Sequence, residues 1–382
     1  MKPVKILVAG DLMPSENNFA LFEEGNAEAL FGKELCQMFA SADFSIANLE
    51  GALTDSTIPQ QKDGPCIKAP KSTIFGIKNL GLSAVALANN HITDYLQQGI
   101  DDTLNVLEEV EILHVGIAPR KGSPTPPDSH LSITINDKMI CIYNVSETFF
   151  CSPTKNTAGA NIYDEWIVLN EIKELKQNHD FLMVIYHGGA EYLRYPTPQT
   201  RIRFHRMADC GADFITAQHT HCIGCDEWYD GSYLLYGQGN FLFARQKSSI
   251  TKQGLLTEIT LNEKGFRVKH HVVNTIGNVL RYDTEQDFSN FKKRSGQIND
   301  EDFIIRQYAE LKTKEIMPKY LFAMKGHYPF RRIFNKLWPR YRSNIWKSYT
   351  FNQMLMNLRL MNDERRREDM YYVWKHLLEL NR

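Results

Sequence analysis

Eight residues have the types and the spacing to do chemistry: Asp11, Glu50, Asn90, His91, Asp94, His187, His219 and His221. Carboxylate, amide oxygen and imidazole together suit a divalent transition metal such as Mn, Fe or Zn, without choosing among them. His219 and His221 alternate across one residue, so both side chains can reach one cluster at the end of a strand. Glu50 could bridge two ions, and a pair of ions ~3.5–4 Å apart would bind a phosphate and acidify a water. His91 follows Asn90 directly and is placed to give a proton to a leaving alkoxide, with Asp94 to orient its ring or assist the transfer. Each residue also has an ordinary reading. Asp11 after Gly10 and the pair Asn89-Asn90 fit turns, Glu50 fits a solvated carboxylate, and a single histidine is commonly a hydrogen-bonded structural one.

What raises these residues above the ordinary is their shared address. Asp11, Glu50, Asn90-His91, His187 and His219-x-His221 each follow a short apolar run: Val4 to Ala9, Phe44 to Asn48, Ala84 to Ala88, Phe181 to Tyr186, and Phe214 to Ala217. Such runs read as buried strands, and in open α/β sheets ligands bind at the carboxyl ends of strands. Helical spacing appears at Glu28 to Ala40, Lys71 to Leu80, Gly99 to Glu109, Glu165 to Gln177 and Arg201 to Cys210. Leu131–Ile135 with Met139–Asn144, and Leu255–Leu261 with Phe266–Val273, alternate like hairpins. Strands alternating with helices, joined to hairpins, predict an α/β sandwich of two sheets with helices outside. From about residue 290 the pattern turns helical, so the chain divides into a domain of residues 1–285 and a region of residues 286–382.

The chain has 382 residues and a net charge of −1. That balance hides an asymmetry: residues 291–382 carry +10 and the remainder −11. The segment from Lys325 to Arg342 interleaves Phe330, Phe334, Trp338 and Tyr341 with six Lys or Arg. It suits a membrane surface, an anionic polymer or a protein partner, or the acidic remainder of its own chain. Nucleic acid has no motif to support it. The apolar stretch Ile6 to Ala9 is too short for a signal peptide, and no uncharged apolar run reaches the ~18 residues of a membrane span. A cytoplasmic protein is the expectation. Seven cysteines, an odd number, fit buried thiols in a reducing compartment. Cys222-x-x-Cys225, beside His219 and His221, could be a redox pair, part of a zinc site, or packing.

The motifs resemble one family. Ala9-Gly10-Asp11, Ala47-Asn48-Leu49-Glu50-Gly51, Leu87 to Tyr95, His187 to Tyr192, Gly211 to His221, and Tyr236 to Phe241 resemble, in order, the CapA-type capsule-biosynthesis (poly-gamma-glutamate synthesis) proteins. These are similar in fold to the calcineurin-like metallophosphatases. The resemblance covers about residues 5–245. It implies a four-layer αββα sandwich, metal roles for Asp11, Glu50, Asn90, His187, His219 and His221, and His91 as general acid. Three positions depart from the metallophosphatase pattern: Met13 stands where Asp-x-His has its histidine, Glu50 replaces the bridging Asp, and Gln218 replaces the Gly before His-x-His. Carried over, the pattern gives one ion Glu50, Asn90, His187 and His219, and the other only Asp11, Glu50 and His221. One tight and one weaker site are expected. The implied function is a metal-dependent hydrolase of a phosphoester or related bond, linked to capsule, polyglutamate or cell-envelope polymer synthesis. Its substrate would be an anionic small molecule or polymer, with a capsule-synthesis protein or membrane as partner. The alternative is a non-catalytic accessory protein that binds an anionic ligand at a partly degenerate metal site.

Overall fold

The computed structural model describes residues 2–62, 64–148, 150–243, 248–325 and 350–380. The chain divides into two compact units, residues 1–60 with 66–300, and residues 61–65 with 301–382. The sequence boundary at 285 falls one helix earlier than this division. Helix Ser289–Gln297 goes with the first unit, where Arg294 donates to the carbonyls of Gly224 at 2.7 Å and Ile223 at 3.2 Å.

Two sheets form the first unit. The larger runs, in spatial order, Val279–Tyr282, Gly265–Ile276, Gln253–Asn262, Val4–Met13, Phe44–Leu49, Ala84–Ala86 and Leu113–Val115, with Asn240–Phe243 also paired to Val4–Met13. Its half from Val4–Met13 to Leu113–Val115 is parallel. The smaller sheet runs Asp226–Tyr229, Ser232–Leu235, Phe214–Gln218, Phe181–His187, Lys138–Ser146 and His130–Ile135, parallel at its centre. Both expected hairpins form, the one with His130–Ile135 at a sheet edge and the other inside the edge strand Val279–Tyr282.

Alternate residues of one strand feed different cores, which is why these strands read as unbroken apolar runs. Ile6, Val8 and Ile46 meet Ile142, Met183 and Ile185 between the sheets. Leu7, Ala9 and Val85 face outward onto Leu30, Leu35, Ile77 and Ile100 of the helices on that side. Tyr143, Leu182 and Val184 face the other way onto Val168, Ile172, Phe204 and Met207. Helices, sheet, sheet and helices are therefore stacked in four layers.

Two expectations need correction. The first strand does not stop at Ala9 but runs through Met13, so Asp11 lies within a strand rather than in a turn. The ladder to Phe44–Leu49 slips between Ala9 and Asp11, a bulge at Gly10. A Cβ on Gly10 would lie 1.9 Å from the Gly239 carbonyl oxygen; this close approach lets Asn240–Phe243 join alongside and extend the strand. The helix expected over Glu28 to Ala40 is two helices, Ala27–Phe31 and Lys33–Ser41, broken at Gly32 with φ +79°, a conformation open to glycine.

The second unit holds helices Glu301–Lys325, Phe351–Asn362 and Glu364–Leu380. Thr350 and Gln353 form a reciprocal capping box on the second of these. Tyr308 donates to Asp369 and meets Tyr372 edge-on at 5.6 Å. Residues 326–349, with Phe330, Phe334, Trp338 and Tyr341, lie outside the described residues. Among the described residues no helix is long and apolar enough to cross a membrane.

Candidate metal centre

The chemistry-bearing residues converge where the carboxyl ends of both sheets meet. Asp11, Glu50 and Asn90 come from the larger sheet, and His187, His219 and His221 from the smaller. All but Asn90 are almost wholly buried. Glu50 follows its strand directly, His187 ends its strand, and His219 follows its own.

Long amide side chains lock the two sheets at this end. Asn144 accepts from Ala88 N at 2.8 Å and donates to the Ile185 carbonyl at 2.9 Å, fixing the chain just before Asn90. Gln218 donates to the Ala9 carbonyl at 3.1 Å, a tie across the sheets that a glycine could not make. Asn48 donates to Asp11 Oδ1 at 2.8 Å.

Around Glu50 the groups are close. His221 Nε2 lies 3.6 Å and His187 Nε2 3.9 Å from Glu50 Oε1. Asp11 Oδ2 lies 3.3 Å from His221 Nδ1 and accepts from the His219 backbone N–H at 3.2 Å. Asn90 Oδ1 lies 2.8 Å from His187 Nε2, and the His187 and His219 rings are 5.0 Å apart. Ligand atoms of Glu50, His219 and His221 lie within 4.8 Å of one another. His219 and His221 do not continue an extended strand. Their φ values are +84° and +54°, a left-handed conformation costing roughly 1–3 kcal/mol each for a residue with a Cβ and typical of functional sites.

Burial raises the pKa of Glu50 well above the usual carboxylate range. Burial also holds His187 down at about 3. Burial would lower His221 too, but the Glu50 and Asp11 carboxylates outweigh it and raise His221 to about 10. For Asp11, burial acts upward and is overcome by His221, His187 and Asn48, so its pKa falls. Neither carboxylate oxygen of Glu50 receives a hydrogen bond among the described residues. A buried carboxylate left so is costly, and a divalent cation is what this donor set of carboxylate and imidazole would satisfy. The residues fit such an ion.

His91 and Asp94 sit beside Asn90. His91 Nδ1 lies 2.6 Å from Asp94 Oδ2, which also accepts from Ile67 N at 2.7 Å. Met13 is 2% exposed and packs in the apolar layer under the larger sheet. None of the seven cysteines, all described, is in a disulfide. Burial pushes Cys222 up to about 11 and raises Cys225 as well, so both are protonated thiols, and the ligand group named above includes neither. Packing is their reading.

Three further residues, none among the eight candidates, stand at the site. Asn240 Oδ1 lies 2.9 Å from His221 Nδ1 while its amide donates to the Thr251 carbonyl. Asn48 sits between Asp11 and His187, and Glu191 Oε1 lies 3.6 Å from His219 Nε2. Each stands in a quoted motif, and that position was the available signal.

Residues 5–245 match the family model described as bacterial capsule synthesis protein PGA_cap. The chain belongs to this family. Among curated members, the PGA biosynthesis protein CapA of Bacillus subtilis is 27% identical, over 67% of this chain and 67% of its own. The capsule biosynthesis protein CapA of Bacillus anthracis is 25% identical, over 68% of this chain and 64% of its own. The match thus spans about two thirds of these relatives' length. Among solved structures, a phosphatase from Mycoplasma pneumoniae aligns with TM-score 0.47 at 16% identity, covering 76% of this chain and 99% of its own. A 5'-nucleotidase precursor from Thermus thermophilus aligns with TM-score 0.38 at 14% identity, over 70% and 54%. The PGA_cap member described here has a four-layer αββα fold.

Proposed function

We propose that this family member is a metal-dependent hydrolase of a phosphoester, or of a related bond in an anionic cell-envelope polymer, serving capsule or polyglutamate synthesis. The observation that carries this reading is Glu50: a buried carboxylate without a hydrogen bond, facing imidazoles from the opposite sheet. Glu50, Asn90, His187, His219, His221 and Asp11 would hold the ion. A bound divalent cation supplies Lewis-acid polarisation of the phosphoryl or acyl oxygen. The chain's own residues do the rest. The Asp94 carboxylate accepts a hydrogen bond from His91 Nδ1–H, which fixes the ring, and the imidazolium gives its Nε2 proton to the departing oxygen. Asn240 orients His221 in the same way from behind. The sheets on either side exclude water and strengthen each interaction.

The test is metal content after dialysis, paired with turnover of a phosphoester panel in the presence of Mn, Fe or Zn. About one tightly held ion per chain is expected, because Met13 offers no hard-metal donor, together with measurable hydrolysis. No retained ion would overturn the metal reading. An ion retained without turnover of any ester would favour the non-catalytic accessory reading. Met13 supports that second reading, since it lies in an apolar layer where the metallophosphatase pattern has an imidazole.

A further inference from the structure

A cavity of about 200 Å³ lies between the segments around Arg194, Ile223 and Arg294 and the start of the strand Gln253–Asn262. At ~30 Å³ per water it has the room of roughly six or seven waters, enough for one small group. Two guanidiniums line it. Arg294 is only 8% exposed, and its Nε and Nη2 are used by the carbonyls of Gly224 and Ile223. Its Nη1 has no partner among the described residues. Arg194 makes no hydrogen bond or ion pair among them. Burial and the charge of Arg194 both lower the Arg294 pKa, as two like charges sharing a partly desolvated space must. Asp283 and Asp287 also line the cavity but already serve the local backbone and side chains. Asp283 accepts from Asn274 and Glu285 N, and Asp287 from Ser289 N. Gln253 and Asn290 add amide groups to the lining, and the charged donors left over are those of the two arginines.

We infer that this cavity is a binding site for a small anionic group, a carboxylate or a phosphate, held between Arg194 and Arg294. Guanidinium forks match both anions, and pairing would relieve the repulsion between the two arginines. Two of its lining residues stand on the loops that carry the metal centre. Arg194 follows Glu191 by three residues and Ile223 follows His221 by two. It does not depend on the hydrolase reading.

The experiment is calorimetric titration of inorganic phosphate, and separately of glutarate, into the full chain with a chelator present, so that the metal centre cannot hold the anion. Saturable binding of either probe is expected, weakened at least about tenfold in Arg194→Gln, the worth of a charge-assisted pair. Binding of one probe alone names the ligand class. Arg194 has no described partner to lose, so the variant should fold, checked by its melting curve. No saturable binding by either probe overturns the assignment. So does binding that Arg194→Gln weakens less than tenfold.

Discussion

His91 and Asp94 are three residues apart on one turn, and the 2.6 Å contact between them holds an imidazole beside the ligand cluster. In His91→Ala the ion should stay, because Glu50, His187, His219 and His221 are untouched. Turnover of an ester with a poor leaving group should fall by roughly 10²–10⁴-fold, the worth of general acid catalysis. The fall should shrink for an activated ester that needs no proton. His219→Ala should differ by losing ion and activity together. Elemental analysis and rates on two esters of unlike leaving group separate the variants. Parent-rate hydrolysis of the poor ester by His91→Ala would remove His91 from this role.

Two elements position the site by features that leave little room. Gly10 places its strand against the Gly239 carbonyl, so Gly10→Ala must move backbone rather than a flexible side chain. It should destabilise by at least about 2 kcal/mol and weaken metal retention by displacing Asp11. Gly296→Ala meets open space and should be neutral or slightly stabilising, as expected for a helical glycine. Urea unfolding of both variants makes the comparison. On the far side, Glu227 ties helix Pro198–Asp209 to the edge strand Asp226–Tyr229. Burial would raise its pKa, but hydrogen bonds from His205 at 2.7 Å, Arg201 at 3.1 Å and Tyr236 at 2.5 Å hold it at about 2, below its ordinary 4.5. A carboxylate with a depressed folded pKa contributes stability above its unfolded pKa and loses it as pH falls through the folded one. Glu227→Gln should therefore cost about 1–2 kcal/mol at pH 7 after solvent screening. The gap from the parent should close between about pH 4.5 and pH 2. A gap that stays constant down to pH 2 would contradict the tie.

At the scale of the whole molecule, the three apolar clusters found among the described residues lie within residues 1–300, as do all the site residues. A chain ending at residue 300 should therefore unfold cooperatively and bind the same number of ions as the full chain. Circular dichroism through a thermal ramp and elemental analysis check this. A broad, non-cooperative transition would show that the first unit's own cores do not suffice.

Parts of this protein are written in local pattern. Apolar runs such as Phe181 to Tyr186, closed by a polar residue, marked strand and site together, because a strand covered on both faces has nowhere to put polar groups except its ends. The hairpins and His219-x-His221 were legible for the same local reason. The grouping of Asp11 with His219 was only inferable, since 208 positions separate them. What the tertiary structure decided were the ties between distant segments. Gln218 reaches Ala9, Asn144 bridges Ala88 and Ile185, and Gly10 continues its strand because another backbone crosses it. In sequence, an amide side chain looks the same in a turn as across the gap between two sheets, and a glycine the same in a turn as in a bulge. Only the approach of a second chain segment gives either its partner.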